Sequence, residues 1–294
     1  MGAGLSRRAA QGGHEVVAFD QDESARTALA AESNIQTVAS LRALVDELPQ
    51  PRSVWLMLPA GEITESVLHQ VADLLDRGDL IIEGGNSHYP DSQRRGRELA
   101  ERGIGFMDAG VSGGVWGLTE GFGLMVGGSG QSVARLEPLL RSLAPTPNSG
   151  WVHAGDVGAG HFAKMVHNGI EYGLMQAYAE GFAVLQAKAE FDIDAAAVAE
   201  AWRHGTVIRS WLLDLMAQAL ATDDLDEIAP VVADSGEGRW TVKESVDLGV
   251  PVPVISAALT ARFTSQGDAD LANRLLAATR RGFGGHAVMP EAAD

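Results

Sequence analysis

Lys164, His167, Asn168 and Glu171 stand at i, i+3, i+4 and i+7 of the segment running from Gly158 to Gly173, the spacing that lines them along one face of a helix. Tyr172 flanks that face. A lysine amine and a glutamate carboxyl on a stripe that elsewhere would bury Leu or Val, with an imidazole and an amide between them, are suited to moving protons. The plainer alternative is a solvated face with a weak ion pair, worth about 0.3 kcal/mol at i,i+4 spacing. Here the lysine and glutamate are seven apart, a poor spacing for direct pairing. Glycines at 158, 160, 169 and 173 let a ligand or another backbone come close. The face reads as a site.

The elements that must position this face follow from the first half of the chain. Val16–Phe19, Ser53–Leu58, Leu80–Ile82, Gly105–Asp108 and Gly123–Val126 are short runs, apolar on both faces. They read as strands buried in a parallel sheet. Segments 24–31 and 62–75 between them carry apolar residues at helical spacing. Repeated strand–helix alternation predicts an α/β Rossmann-like doubly wound sheet, with ligands at the carboxyl ends of its strands. From Gly158 onward the pattern is helical, with one long helix over 159–189 and Asp192 and Asp223 as cap or turn residues. The expected division is a dinucleotide-binding domain over 1–157 and an all-α domain over 158–294 for substrate binding and dimerisation.

Composition narrows the function. Lys plus Arg is 22 against 39 Asp plus Glu, a formal net charge of −17, which argues against a nucleic-acid binder. A few converging Arg and Lys can still reverse the field locally for an anionic small molecule. With no cysteine, disulfides, thiolate metal sites and a cysteine nucleophile are excluded. The eight histidines form no H-E-x-x-H pair, so no metal site is expected. No apolar run reaches the roughly 18 residues of a membrane helix, and the early arginines lack the apolar block of a secretory signal. A cytoplasmic protein with no membrane partner is the expectation. Trp116, after Gly113-Gly114, could line the site; the other tryptophans read as core or interface anchors, and Arg7, Arg8 and Arg281 as residues of solvated faces.

The start of the chain departs from the dinucleotide pattern, in which a strand precedes G-x-G-x-x-G/A at the turn into the first helix. Met1-Gly2-Ala3-Gly4 already reads as helix. Gly2 is therefore expected to be the last fingerprint glycine, with the first strand and two earlier glycines absent. Asp20, ending the next strand, can accept from both adenine-ribose hydroxyls and would repel a 2′-phosphate. That favours NAD, with NADP admitted. The alternative for Asp20 is a capped turn with Gln21-Asp22.

Several motifs together resemble those of the decarboxylating 6-phosphogluconate dehydrogenases, in a short form. They are Gly84-Gly85-Asn86-Ser87, Gly110-Val111-Ser112-Gly113-Gly114, the lysine-helix block, Ile208-Arg209-Ser210, Gly236-Glu237-Gly238-Arg239-Trp240-Thr241 and Phe283-Gly284-Gly285-His286. The resemblance spans essentially the whole chain. It implies oxidation of 6-phospho-D-gluconate to D-ribulose 5-phosphate and carbon dioxide with reduction of NAD(P), without a metal.

By the same resemblance Lys164 is the general base on the 3-hydroxyl and then the acid that assists decarboxylation, and Glu171 is the general acid at the final carbon. An ammonium cannot accept a proton, so Lys164 must be neutral when it acts; desolvation and a cationic nicotinamide both lower a lysine pKa. Asn86, Ser112 and Asn168 are expected to hold the sugar hydroxyls and carboxylate, with backbone N–H groups of Gly113 and Gly114. Those two glycines could equally form a plain turn. His167 would orient the 3-hydroxyl or the lysine, with a structural role as its alternative. Arg209, Tyr172, Arg280 and His286 are the expected phosphate partners, and Gly2, Asp20, Leu58 and Asn86 the cofactor contacts. Longer relatives place a phosphate-binding lysine where this chain has Asp234-Ser235-Gly236, so either phosphate affinity is lower or Arg239 or Lys243 compensates. The family's tail enters the neighbouring subunit's site, implying a homodimer or higher homo-oligomer. Two other readings stay open: a 3-hydroxyacid dehydrogenase acting on an unphosphorylated substrate, and a chain lacking cofactor capture.

Overall fold

Apolar runs of four to eight residues become strands and the amphipathic segments between them become helices. The computed structural model describes residues 1–222, 225–267, 271–273, 275–276 and 278–279. It divides into two units, Met1–His167 and Asn168–Asp294. In the first, the strands are β1 (Val16–Phe19), β2 (Ile35–Val38), β3 (Ser53–Leu56), β4 (Leu80–Glu83), β5 (Gly105–Ser112), β6 (Gly123–Gly127) and β7 (Trp151–Gly155). The helices are α1 (Gly2–Gln11), α2 (Glu23–Ala30), α3 (Leu41–Glu47), α4 (Glu62–Ala72), α5 (Tyr89–Glu101), α6 (Gly117–Glu120) and α7 (Gly130–Leu143). The long helix α8 (Ala159–Ala187) runs from the first unit into the second.

The strands form two sheets, β1-β2 and β3-β4-β5-β6-β7. Pairing is parallel except between β5 and β6. The expected parallel doubly wound sheet thus carries one antiparallel pair, because residues 113–122 are too few for a parallel crossover of a dozen or more residues. Leu5, Ala9, Val133, Leu136 and Leu140 cover one sheet face together with Leu80, Ile82 and Met107. Leu44, Val45, Leu68, Val71 and Leu99 cover the other with Val54, Leu56 and Ile81. Helices on both faces make the sheet doubly wound. Val17, Phe19 and Val38 join that second cluster, so both sheets share a core. Among the described residues β1 and β3 share no ladder.

Polar side chains fix the connections. Arg8, expected on a solvated face, instead donates from Nε to the Leu143 carbonyl at 2.8 Å and from Nη2 to that of Ala144 at 2.7 Å, satisfying carbonyls left open at the end of α7. Glu83 ends β4 buried against the equally buried Arg95 at 2.9 Å and accepts from the Ser87 hydroxyl. Breaking such a pair strands a charge at a cost of about 3–5 kcal/mol, so Ser87 is firmly held.

Arg95 also reaches Glu65, which Arg94 pairs at 2.7 Å. The Glu65 carboxyl falls from its usual 4.5 to about 2: the Arg94 hydrogen bond is the largest cause, partial burial opposes it, and Arg95 adds to it. A depressed carboxyl stabilises the fold fully above 4.5 and ceases to do so as pH falls through 2. Glu65→Gln is expected to cost about 1 kcal/mol at pH 7, allowing for solvent screening. Urea denaturation of both proteins should show that gap closing only below pH 4.5. Glu65, His69 and Glu98 bring ligand atoms within 4.8 Å of one another, but Arg94 pairs with both carboxylates, which makes the group an ion-pair cluster.

The second unit is helical. After α8 come α9 (Ala195–Trp202), α10 (Trp211–Thr222), α11 (Glu237–Asp247) and α12 (Pro253–Ser265). Phe182, Ala199, Leu213 and Ala217 form one small core; Tyr172, Ala258 and Leu259 form another with Val242 and Phe263. Asp192 turns the chain after α8 at φ 47°, while Asp223 lies outside the described residues. Among the described residues no helix is long and apolar enough to cross a membrane.

Candidate active site

Glycine lets α8 lie directly on the sheet. A Cβ at Gly160 would sit 2.5 Å from the Met125 carbonyl and 2.7 Å from the Gly127 nitrogen, and one at Gly127 would sit 2.8 Å from the Gly160 nitrogen. On β5, a Cβ at Gly110 would lie 2.3 Å from that of Lys164. The buried Asp108 carboxylate, also on β5, accepts from the backbone N–H of Gly158 at 2.6 Å and of His161 at 2.7 Å. It caps the first turn of α8 from outside the helix, with its negative charge at the positive end of the helix dipole. Sheet and cap together hold the first turn of α8 against β5.

Lys164 is buried, and its Nζ lies 3.4 Å from Nδ1 of His167. An ammonium would donate to that nitrogen, while a neutral amine could accept from it. His167 is exposed, Asn168 buried and Glu171 partly buried. α8 is continuous through all four positions. Gly110→Ala is expected to cost about 2 kcal/mol by overpacking. It should also displace the Lys164 side chain, whose Cβ lies 2.3 Å from the added methyl position. A urea midpoint checks the cost.

The carboxyl ends of neighbouring strands carry the next residues. A Cβ at Gly85 would fall 2.6 Å from the Leu58 carbonyl, and one at Gly84 would fall 2.2 Å from the Trp55 indole nitrogen. The loop after β4 thus lies flat on the end of β3 and presents exposed Asn86 between Gly85 and buried Ser87. Past β5, Ser112 is followed by Gly113 at φ +127° and Gly114 at φ +51°, backbone that L side chains rarely adopt. Trp116 beyond them is half exposed.

Asp20 ends β1 exposed. Its Oδ1 accepts from Asp22 N–H at 2.9 Å, so the capped turn forms and the carboxylate still faces outward. Gly2 opens α1, 3.6 Å from the Met57 side chain once a Cβ is added. These residues could hold a nicotinamide dinucleotide: an outward carboxylate for ribose hydroxyls, helix N–H groups for phosphate oxygens, and Leu58 and Asn86 at the strand ends.

In the second unit Tyr172 is buried. Its hydroxyl lies 3.1 Å from Ser235 Oγ and accepts from Ser235 N–H at 3.2 Å. The Arg262 guanidinium stacks 3.4 Å from the centre of its ring. Arg209 stands exposed on the link between α9 and α10, which Tyr178 holds through Ser210 at 2.9 Å. Among the described contacts the cation on Tyr172 is therefore Arg262, which motif reasoning missed. Its signal was a lone cation in the apolar α12, three and four residues after Leu259 and Ala258. Arg239 is spoken for by Asp234 at 2.8 Å. Burial works to raise the Asp234 pKa, but the Gly236 N–H and Arg239 outweigh it and keep the carboxyl below its usual range. Lys243 is exposed. Arg280 and His286 lie outside the described residues.

Known proteins resemble this chain along its full length. Residues 1–155 match the family profile described as the NAD binding domain of 6-phosphogluconate dehydrogenase, and residues 160–288 match the 6-phosphogluconate dehydrogenase C-terminal domain. A Bacillus subtilis (strain 168) protein provisionally named 6-phosphogluconate dehydrogenase YqeC is 43% identical over 289 residues, covering 98% of this chain and 96% of its own. A Haloferax volcanii protein named 6-phosphogluconate dehydrogenase, NAD(+)-dependent, decarboxylating, is 42% identical over 290 residues, covering 98% and 95%. The solved Plasmodium falciparum 6-phosphogluconate dehydrogenase superposes with a TM-score of 0.83 at 26% identity, over 100% of this chain and 65% of that longer one.

Proposed function

This chain belongs to the 6-phosphogluconate dehydrogenase family, and from that premise we propose that it converts 6-phospho-D-gluconate to D-ribulose 5-phosphate and carbon dioxide with NAD as the preferred acceptor. The observation that carries this reading is the buried Lys164, locked to the sheet through Gly110 and Gly160 and sharing one continuous helix stripe with His167, Asn168 and Glu171. Asp20, Gly2, Leu58 and Asn86 would hold the dinucleotide, and the outward carboxylate of Asp20 favours NAD over its 2′-phosphorylated form. When bound, the nicotinamide supplies a hydride acceptor for carbon 3 of the sugar acid.

Neutral Lys164 takes the proton of the 3-hydroxyl as that carbon is oxidised, and His167 orients the amine. The 3-keto acid is a β-keto acid. Lys164, now an ammonium, returns its proton to the carbonyl oxygen while the bond between carbons 1 and 2 breaks. Carbon 1 leaves as carbon dioxide, and its bonding pair forms the enediol double bond. Glu171 then protonates the former carbon 2, the enediol hydroxyl proton returns to Lys164, and Glu171 is recharged from solvent. Asn86, Ser112, Asn168 and the N–H groups of Gly113 and Gly114 hold hydroxyls and carboxylate. Tyr172 and Arg262 meet the phosphate, a guanidinium being well matched to its oxygens; Arg209, Arg280 and His286 are proposed alongside them. Exposed Ile170, Leu174 and Val184 on α8 are an apolar surface suited to a second copy, and a homodimer is proposed.

Incubation with NAD and either 6-phosphogluconate or gluconate tests the reading. Reduced cofactor should appear with the phosphorylated acid, and Arg262→Ala should raise its KM about tenfold or more with a smaller change in kcat. Equal rates with gluconate would defeat it. The separation of β1-β2 from the main sheet favours a second reading, in which the sugar acid binds and the dinucleotide does not. Saturable quenching of tryptophan emission by NADH would set that reading aside.

A further inference from the structure

A buried polar residue in the first turn of the lysine helix and one packed beside it have no part in the proton transfers above. His161 is 2% exposed and Ser92 fully buried. The Ser92 hydroxyl lies 2.7 Å from His161 Nδ1, and the His161 backbone N–H donates to Asp108 on β5. The other ring nitrogen, Nε2, is buried without a hydrogen-bond partner. A buried polar atom left unpaired costs free energy that a leucine in the same place would not, so packing does not explain this histidine.

Its placement does. Ser92 sits in the first turn of α5, which begins at Tyr89, directly after the loop that presents Asn86. His161 sits one turn before Lys164, on the same side of α8. Around the bond the two first turns are pressed together. The Tyr89 and Phe162 rings meet edge to face at 5.2 Å, and a Cβ at Gly158 would be 2.8 Å from Gln93. The far end of the loop is tied down by Ser87 and Glu83.

We infer that the Ser92–His161 hydrogen bond is a positioning link, setting the rotation of α8 so that the Lys164 amine is aligned with the Asn86 loop. The inference rests on the function proposed for Lys164. Neither residue touches substrate in this account. Loss of the link should therefore lower kcat and leave binding largely intact, because misplacing a catalytic group slows chemistry without removing ground-state contacts.

Ser92→Ala and His161→Leu test it, with His161→Asn as the conservative variant, since an asparagine amide can take the place of Nδ1. Each of the first two should lower kcat about tenfold, with KM for 6-phosphogluconate and NAD within about twofold of wild type. The double variant should be no slower than the worse single one, as expected for partners in one interaction. His161→Asn should recover to within about threefold of wild type. A kcat for Ser92→Ala within twofold of wild type, losses that multiply in the double variant, or losses that track the folded fraction would overturn the link. If the wild-type protein itself fails to turn over 6-phosphogluconate, the functional reading falls. The link is then judged by the rate at which trinitrobenzenesulfonate modifies Lys164, located by peptide mapping. A changed rate in both single variants sustains it, and an unchanged rate removes it.

Discussion

Lys164→Gln is expected to lower kcat by about 10³- to 10⁴-fold, the upper range for loss of a positioned acid–base group, while KM for 6-phosphogluconate changes only a few-fold. Glutamine keeps much of the length of the side chain and can still hydrogen-bond to Nδ1 of His167, which lies 3.4 Å from the lysine amine. What it cannot do near neutral pH is exchange a proton. In the proposed cycle that group accepts from the 3-hydroxyl and gives the proton back at the keto oxygen, so both steps fail together. Because Lys164 is buried, an uncharged replacement removes no exposed charge and should leave circular dichroism and thermal midpoint close to wild type. Steady-state rates at saturating NAD give the size of the effect. A loss under tenfold would remove Lys164 from the chemistry.

Glu171→Gln should slow turnover about 10²-fold by a different route. The substitution is isosteric and keeps the hydrogen-bonding reach of the side chain. Oxidation and loss of carbon dioxide do not draw on Glu171, so the defect is confined to protonation of the enediol carbon. Reaction in deuterium oxide separates the two residues. Wild type should place one deuterium stereospecifically at carbon 1 of ribulose 5-phosphate. Glu171→Gln should release the enediol to solvent and give a mixture of both configurations. Stereospecific labelling by the variant would assign the proton to another donor.

The parts of the molecule legible in the sequence are those set by local pattern. The strand cores at Leu80–Ile82 and Val16–Phe19 are continuous apolar runs, and the lysine face follows from helical spacing alone, so their recognition needed no long-range information. β2 and β7 escaped because polar residues and glycine interrupt them: Ile35-Gln36-Thr37-Val38 and Trp151-Val152-His153-Ala154-Gly155 are not continuous apolar runs. The reversal between β5 and β6 is set by the length of their connection. Arg8, Asp108 and Arg262 were not legible as to role, because their partners lie far off in the chain: Arg8 answers carbonyls at 143 and 144, and Asp108 caps a helix that starts at 159. A carboxylate at the end of a strand gives no sign in sequence of which helix it will cap. Gly110 is similar. Its motif was visible, but its contact with Lys164 appears only once α8 is docked on β5.

The most direct measurement uses 6-phosphogluconate carrying carbon-14 at carbon 1, incubated with NAD and this protein, with trapped radioactive carbon dioxide and NADH counted in the same samples. The two are expected in equal amounts throughout the time course, and neither above background with Lys164→Gln. NADH formed without labelled carbon dioxide, or equal yields of both from the Lys164→Gln protein, would contradict it.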